Sequence, residues 1–348
     1  MHVRNKIKVL VVDDSMVFRE VISRGITTDP DIDVVATACD PFEARDKLLQ
    51  YHPNVMICDV HMPRMTGIEF LRRLLPQYSL PVIVVSTVSS TVFDAMNAGA
   101  IDFITKPDAQ LSHVEKFIEE LIEKVKTASK AKIVHHDKKT TELVNSYHPS
   151  GHMNTVRENP TAMKLIAIGA STGGTETIYT LLKSLPQDLP GIVIVQHIPP
   201  MFSRMFAERL NQSLPFHVKE AQTGDMIEKG KVLIAPGDQH MRVKKAGDHF
   251  KVECFRGEKV NRHCPSIDVL FESVAKEVGS QSIGIILTGM GYDGAKGLLS
   301  MKRKGARTIG QDEQSSVVYG MPKVAFDLGA VEQQSSLSNL PRVISKLL

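Results

Sequence analysis

Two sets of residues in this 348-residue chain have the types and placement to make and break bonds. The first is acidic. Asp13 and Asp14 end an apolar run at Ile7–Val12, Asp59 lies within Cys58-Asp59-Val60-His61-Met62-Pro63, and Ser86 and Lys106 follow two further apolar runs. Carboxylates held side by side repel, and a hard divalent cation such as Mg²⁺, taking oxygen ligands, keeps them ionised together. A carboxylate can itself attack a phosphoryl group while the cation, an ammonium and a hydroxyl stabilise the charge on its oxygens, which makes Asp59 the natural nucleophile. Asp14 taken singly reads equally well as a helix N-cap; the ensemble does not.

The second set centres on Ser171, in Leu165-Ile-Ala-Ile-Gly169-Ala-Ser171-Thr-Gly173-Gly174. An apolar run entering a glycine-rich turn exposes the residue at its apex, a pattern shared by nucleophile elbows and phosphate loops. Serine becomes a nucleophile when a neutral imidazole takes its proton and a carboxylate supports the resulting imidazolium. His197 ends the run Gly191–His197, and Asp293 lies in Thr288-Gly-Met290-Gly-Tyr-Asp293-Gly294 after the run Ile283–Leu287. If these runs are parallel strands, all three residues share one rim, and a backbone amide among the glycines, Met290 foremost, can face an oxyanion. His240 and His263 compete with His197, and Asp312 with Asp293. The order Ser, His, Asp differs from that of α/β-hydrolases, so another fold is expected. The loop also lacks the P-loop lysine and the full dinucleotide fingerprint.

Positioning such residues takes two α/β domains. Residues 1–125 alternate short β-branched runs with amphipathic stretches in five βα units, which implies a parallel sheet covered on both faces. Residues 126–160 are polar, with a Pro149-Ser-Gly151 break, and read as a linker. Residues 161–348 return to α/β alternation, with helical stretches at Thr177–Leu185 and Ile267–Val278.

Composition excludes several classes. With 42% apolar and 23% charged residues and no apolar run near the roughly 20 residues of a membrane-spanning helix, neither membrane insertion nor a signal peptide is expected. Four cysteines without metal-type spacing read as reduced thiols. Lys and Arg against Asp and Glu leave −5 over 1–125, +3 over 126–160 and +5 over 161–348. That small basic excess, with no helix-turn-helix or basic helix, argues against nucleic acid.

The Asp13-Asp14 pair, Asp59, Ser86 and Lys106-Pro107 resemble the response-regulator receiver family in order and spacing. The resemblance implies a flavodoxin-like (βα)5 fold, phosphorylation of Asp59 by a chemotaxis histidine kinase, and Mg²⁺ held by Asp13, Asp14, Asp59 and the His61 carbonyl. It also implies a switch pair of Ser86 and Phe103, with Lys106 on the phosphoryl group. Ser86 keeps the hydroxyl where the family often has threonine. The Ser171 loop, Val195-Gln-His197 and Leu287–Gly294, with Arg262–Phe271 and Gln311–Pro322, resemble the catalytic domain of the chemotaxis protein-glutamate methylesterases. This implies a doubly wound, parallel-sheet serine hydrolase domain needing no cofactor, with Ser171, His197 and Asp293 as its triad. It further implies methylated chemoreceptors as substrates, a second glutamine deamidase activity and a cytoplasmic location. The receiver is expected to restrain the hydrolase until Asp59 is phosphorylated, the opposite charges of the two domains favouring their docking.

Overall fold

The computed structural model describes residues 6–87, 91–107, 110–132 and 163–348. The first unit is built from β1 (Ile7–Val12), α1 (Met16–Ile26), β2 (Ile32–Ala38), α2 (Pro41–Tyr51), β3 (Val55–Asp59) and α3 (Gly67–Leu74). It closes with β4 (Val82–Ser86), α4 (Val92–Asn97), β5 (Asp102–Thr105) and α5 (Leu111–Ala128). Its strands are parallel in the order β2-β1-β3-β4-β5. The order reverses between β1 and β3, and the crevice at such a switch point is where ligands of open α/β sheets bind. Strands β3 and β4 are buried along their whole length, as expected for a sheet sandwiched between helices. Helix α5 runs to Ala128, inside the stretch read as linker; residues 133–160 of that stretch lie outside the described residues.

The second unit begins with β6 (Leu165–Ala170), α6 (Gly174–Lys183), β7 (Gly191–Gln196), α7 (Phe202–Ser213), β8 (His217–Glu220) and β9 (Lys231–Ile234). A hairpin of β10 (His240–Ala246) and β11 (His249–Phe255) precedes α8 (Ile267–Glu277). The chain ends through β12 (Ser282–Ile286), α9 (Ala295–Arg303), β13 (Arg307–Gln311), α10 (Met321–Asp327), β14 (Gln333–Ser335) and α11 (Leu340–Leu347). Seven strands form a parallel sheet in the order β14-β13-β12-β6-β7-β9-β8. Strand β6 is central, with β7 on one side and the later β12 on the other, so its carboxyl end is again a switch point. The antiparallel hairpin was not anticipated from sequence, although Met241 and Val243 on one strand and Phe250, Val252 and Cys254 on the other alternate with polar residues, with Lys245 alone falling out of step.

The units are packed together. Phe93 on α4 stacks on Phe206 of α7 at 5.8 Å, and Phe103 of β5 meets Phe202 at 4.6 Å between ring centroids. All four rings are at most 5% exposed, and one apolar cluster runs through them from the first core into the second. Arg209 lies over Phe93 and Tyr179 and donates to Asn97.

Between β6 and α6 the chain turns so tightly that Gly174 has no room for a side chain. A Cβ there would lie 2.1 Å from Gln196 Oε1 and 2.8 Å from the Ala170 Cβ. Gly174→Ala is therefore expected to destabilise the second unit by about 1–3 kcal/mol, measured as a lower urea midpoint. An unchanged midpoint would show that the contact relaxes freely.

Candidate active site and phosphoacceptor site

In the first unit the topology brings the acidic residues to one rim. Asp13 follows β1 and Asp59 is the last residue of β3, both almost fully buried. Lys106 Nζ stands 2.7 Å from Asp13 Oδ2 and 2.6 Å from Asp59 Oδ2. Asp13 Oδ1 accepts from the Ser15 amide, and Asp59 Oδ1 accepts from the His61 amide. Burial raises the Asp13 carboxyl above its ordinary range despite Lys106, and the Asp59 charge adds to the rise. Burial alone would lower the Lys106 ammonium; its bonds to both carboxylates outweigh that and leave it raised. Carboxylate oxygens of Asp13, Asp14 and Asp59 all lie within 4.8 Å of one another. Three carboxylates around one ammonium retain net negative charge, and their hard oxygens suit Mg²⁺.

Ser86 ends β4, buried, and its carbonyl accepts from the Lys106 amide at 3.0 Å, whereas Thr87 is exposed. Phe103 sits on the neighbouring strand, β5, against Phe202 of the second unit.

In the second unit Ser171 follows β6, His197 follows β7 and Asp293 lies beyond β12, on three adjacent strands. The Gln196 side-chain amide donates to the carbonyls of Ser171 at 2.9 Å and His197 at 3.1 Å, strapping the two strand ends together. The Ser171 amide bonds the Thr288 carbonyl, drawing the Met290 loop against it. Gly289 is required there, since a Cβ would stand 2.6 Å from the Ser171 Cβ. The amides of Thr172 and Met290 have no acceptor among the described residues. They flank Ser171 from its own loop and from the facing one, the arrangement an oxyanion requires.

His197 Nε2 meets Asp293 Oδ2 at 2.9 Å, and its side chain is 8% exposed. With Nε2 donating to the carboxylate, the buried Nδ1, which has no partner among the described residues, is the basic nitrogen. Asp293 lies at the N-terminus of α8. It accepts from the amides of Ile267 at 2.7 Å and Asp268 at 3.3 Å, from Ser266 Oγ at 2.8 Å and from Asn261 Nδ2 at 2.7 Å. Burial would raise its carboxyl, but these donors and the His197 bond and charge prevail and hold it at about 2. Asn261 Nδ2 also bonds Asp268, whose carboxyl burial raises.

The rival residues have other partners. His240 is buried between the Ser266 amide and the Glu258 carbonyl, Asp312 accepts from Ser315, and His263 stacks on His197. Sequence reasoning missed Thr172, Gln196, Asn261, Ser266 and Asp268. Thr172 was discoverable as the residue after the nucleophile, whose amide lines oxyanion holes in other elbows. Nothing in their spacing announces Asn261 and Ser266, 32 and 27 residues from Asp293.

Residues 166–344 match the family model for CheB methylesterase, and residues 9–118 that for the response regulator receiver domain. The chain is 54% identical over 344 residues to a protein-glutamate methylesterase/protein-glutamine glutaminase 2 of Syntrophomonas wolfei, covering 99% of this chain and 98% of that protein. A protein-glutamate methylesterase/protein-glutamine glutaminase of Salmonella typhi is 43% identical, with 97% and 95% covered. The crystal structure of the Thermotoga maritima CheB methylesterase catalytic domain superposes with a TM-score of 0.52 at 34% identity, covering 54% of this chain and 100% of that one.

Replacing Asp293 by Asn would present an NH₂ to His197 Nε2 and favour the tautomer with Nδ1 protonated, removing the base. Hydrolytic kcat is expected to fall by about 10³–10⁴, and a loss below tenfold would dissociate Asp293 from this role. Because its folded value, about 2, lies below the ordinary 3.8, its contribution to stability is complete above about pH 4 and is lost as pH falls through about 2. The stability difference between Asp293→Asn and the parent, measured by urea unfolding, should therefore shrink as pH falls below about 4.

Proposed function

Because the chain belongs to the CheB methylesterase family of protein-glutamate methylesterase/protein-glutamine glutaminases, we propose that it hydrolyses glutamate methyl esters on chemoreceptors in the cytoplasm, under control of phosphorylation at Asp59. The observation that carries this reading is the His197–Asp293 pair at the same sheet edge as Ser171, with the amides of Thr172 and Met290, unengaged among the described residues, on either side of the serine.

Ser171 Oγ attacks the ester carbonyl and its proton passes to His197 Nδ1. The tetrahedral oxyanion is held by the amides of Thr172 and Met290. The intermediate collapses as the imidazolium returns the proton to the departing methoxide, releasing methanol. Water, deprotonated by the same nitrogen, then cleaves the acyl-enzyme to the free carboxylate. With a side-chain amide in place of the ester, the same steps release ammonia and deamidate glutamine. The reaction uses no cofactor.

Asp59 receives the phosphoryl group from a chemotaxis histidine kinase, with Lys106 and Ser86 beside it. Asp13, Asp14, Asp59 and the His61 carbonyl would hold Mg²⁺, whose charge would neutralise that of the phosphoryl group. The control reading is supported by the contact between the units. The Thr172 hydroxyl, one residue from the nucleophile, donates to Asp102 at 3.0 Å, and the Gly173 amide donates to the Ile101 carbonyl at 3.2 Å. Phe103, of the switch pair, packs on Phe202 at the same seam. A receiver in this position obstructs a receptor helix about 10 Å across. Drawing Ser86 and Phe103 toward a phosphoryl group loosens the seam, and about 1.4 kcal/mol of differential stability changes the docked-to-open ratio tenfold.

Methanol release from methylated receptor membranes tests this reading. Phosphodonor with Mg²⁺ should raise the rate, chelation should remove that gain while sparing the basal rate, and Ser171→Ala should abolish turnover without affecting phosphorylation. Retained turnover in folded Ser171→Ala would end the serine mechanism. Phe103→Ala should raise unphosphorylated activity several-fold; an unchanged rate would refute restraint through this seam. Because the base must be neutral to accept the serine proton, turnover should also fall on acidification, and a rate that stays flat as pH is lowered, with chemistry limiting and the fold intact, would remove the imidazole base.

A further inference from the structure

The mechanism above leaves one imidazole beside the triad without a task. The His263 ring lies face to face with His197, with centroids 3.7 Å and planes 8° apart. Parallel face-to-face stacking is not what two neutral rings choose by themselves, and here the backbone imposes it. Val260 and His263 exchange amide-to-carbonyl bonds of 3.0 and 2.9 Å across a tight turn. The two residues between them, Asn261 and Arg262, are both left-handed, at φ 51° and 73°. Asparagine tolerates that region well; arginine does so at a cost. Asn261 then anchors the turn to Asp293. A single turn thus supplies a donor to the carboxylate behind His197 and a ring over the face of His197 itself.

The bond from Nε2 to Asp293 fixes one atom of the His197 ring and not its plane, since rotation about χ2 of histidine is broad. Nδ1 must nevertheless face Ser171 when the proton moves. A flat partner pressed on the ring selects the plane, and its π face attracts the cation that forms when Nδ1 takes the proton. The partner must be neutral for this. Burial, with the charge of His197 next, pushes the His263 imidazole down to about 3, so it is uncharged across the working range.

We propose that His263 is a positioning residue of the hydrolase, a neutral aromatic plate that sets the plane of His197 and stabilises its protonated form during acyl transfer. The inference rests on the triad reading of the preceding subsection, and Ser171→Ala in the same assay tests that reading separately.

The test is methanol release by the phosphorylated full-length chain on methylated receptor membranes, as a function of pH, for the parent, His263→Ala, His263→Leu and His263→Phe. Alanine and leucine should each lower kcat about tenfold, or about 1.4 kcal/mol, with KM within about twofold. Phenylalanine, which keeps a π face and cannot titrate, should recover kcat to within about threefold of the parent and retain the acid limb. In a His197→Ala background, His263→Ala should add no further loss. The proposal is overturned if alanine stays within twofold of the parent, or if leucine matches phenylalanine, which would reduce the ring to a space-filler. It is also overturned if phenylalanine abolishes the acid limb, since His263 would then carry the proton. An added tenfold loss in the His197→Ala background would likewise defeat it, since the effect would not pass through His197.

Discussion

A carboxylate that keeps its charge at 1% exposure is the constraint around which the hydrolase half is arranged. Burying an ion without partners is costly enough that the group would normally take up a proton. Asp293 remains ionised because it is placed at the N-terminus of an 11-residue helix and receives two amides, a hydroxyl and a carboxamide besides His197. Those donors dictate neighbouring structure. Ser266 stands at the N-cap of α8 with its hydroxyl bonded to Asp293, and Asn261, in the left-handed region, bonds both Asp293 and Asp268. The imidazole therefore meets an acceptor already fixed in position and needs little reorganisation when its charge appears.

The receiver half manages its charge differently. Its carboxylates cluster with each other, so their mutual repulsion is only partly offset by Lys106. An arrangement left deficient in positive charge is suited to taking up a cation and a phosphoryl group, whereas a site fully satisfied like Asp293 is suited to staying put.

The seam joins the two halves at strand β5. Strand β5 contributes Phe103 to the apolar contact, Asp102 to the bond with Thr172 and, just before it, Ile101 to the bond with Gly173. Asp102 is also held by Lys124 of α5 at 2.7 Å. Both polar contacts fall on the Gly-rich loop that presents Ser171, so a displacement of β5 is felt there directly.

Much of this was legible in one dimension. The five βα units, Asp13, Asp59, Ser86 and Lys106 were readable because parallel strands deliver the residue after each apolar run to a common rim, and the same logic selected Ser171, His197 and Asp293. The sequence by itself thus determined which side chains lie at the two sheet edges and what chemistry their types permit. It did not determine which nitrogen of His197 faces Asp293, that His263 covers the ring, or that Asn261 and Ser266 hold the carboxylate. Nor did it determine that Phe103 and Asp102 meet the second domain. Those are contacts between segments tens of residues apart, set by how α8, the 260–263 turn and the two sheets pack, and local periodicity carries no record of the distance or angle at which separate elements meet.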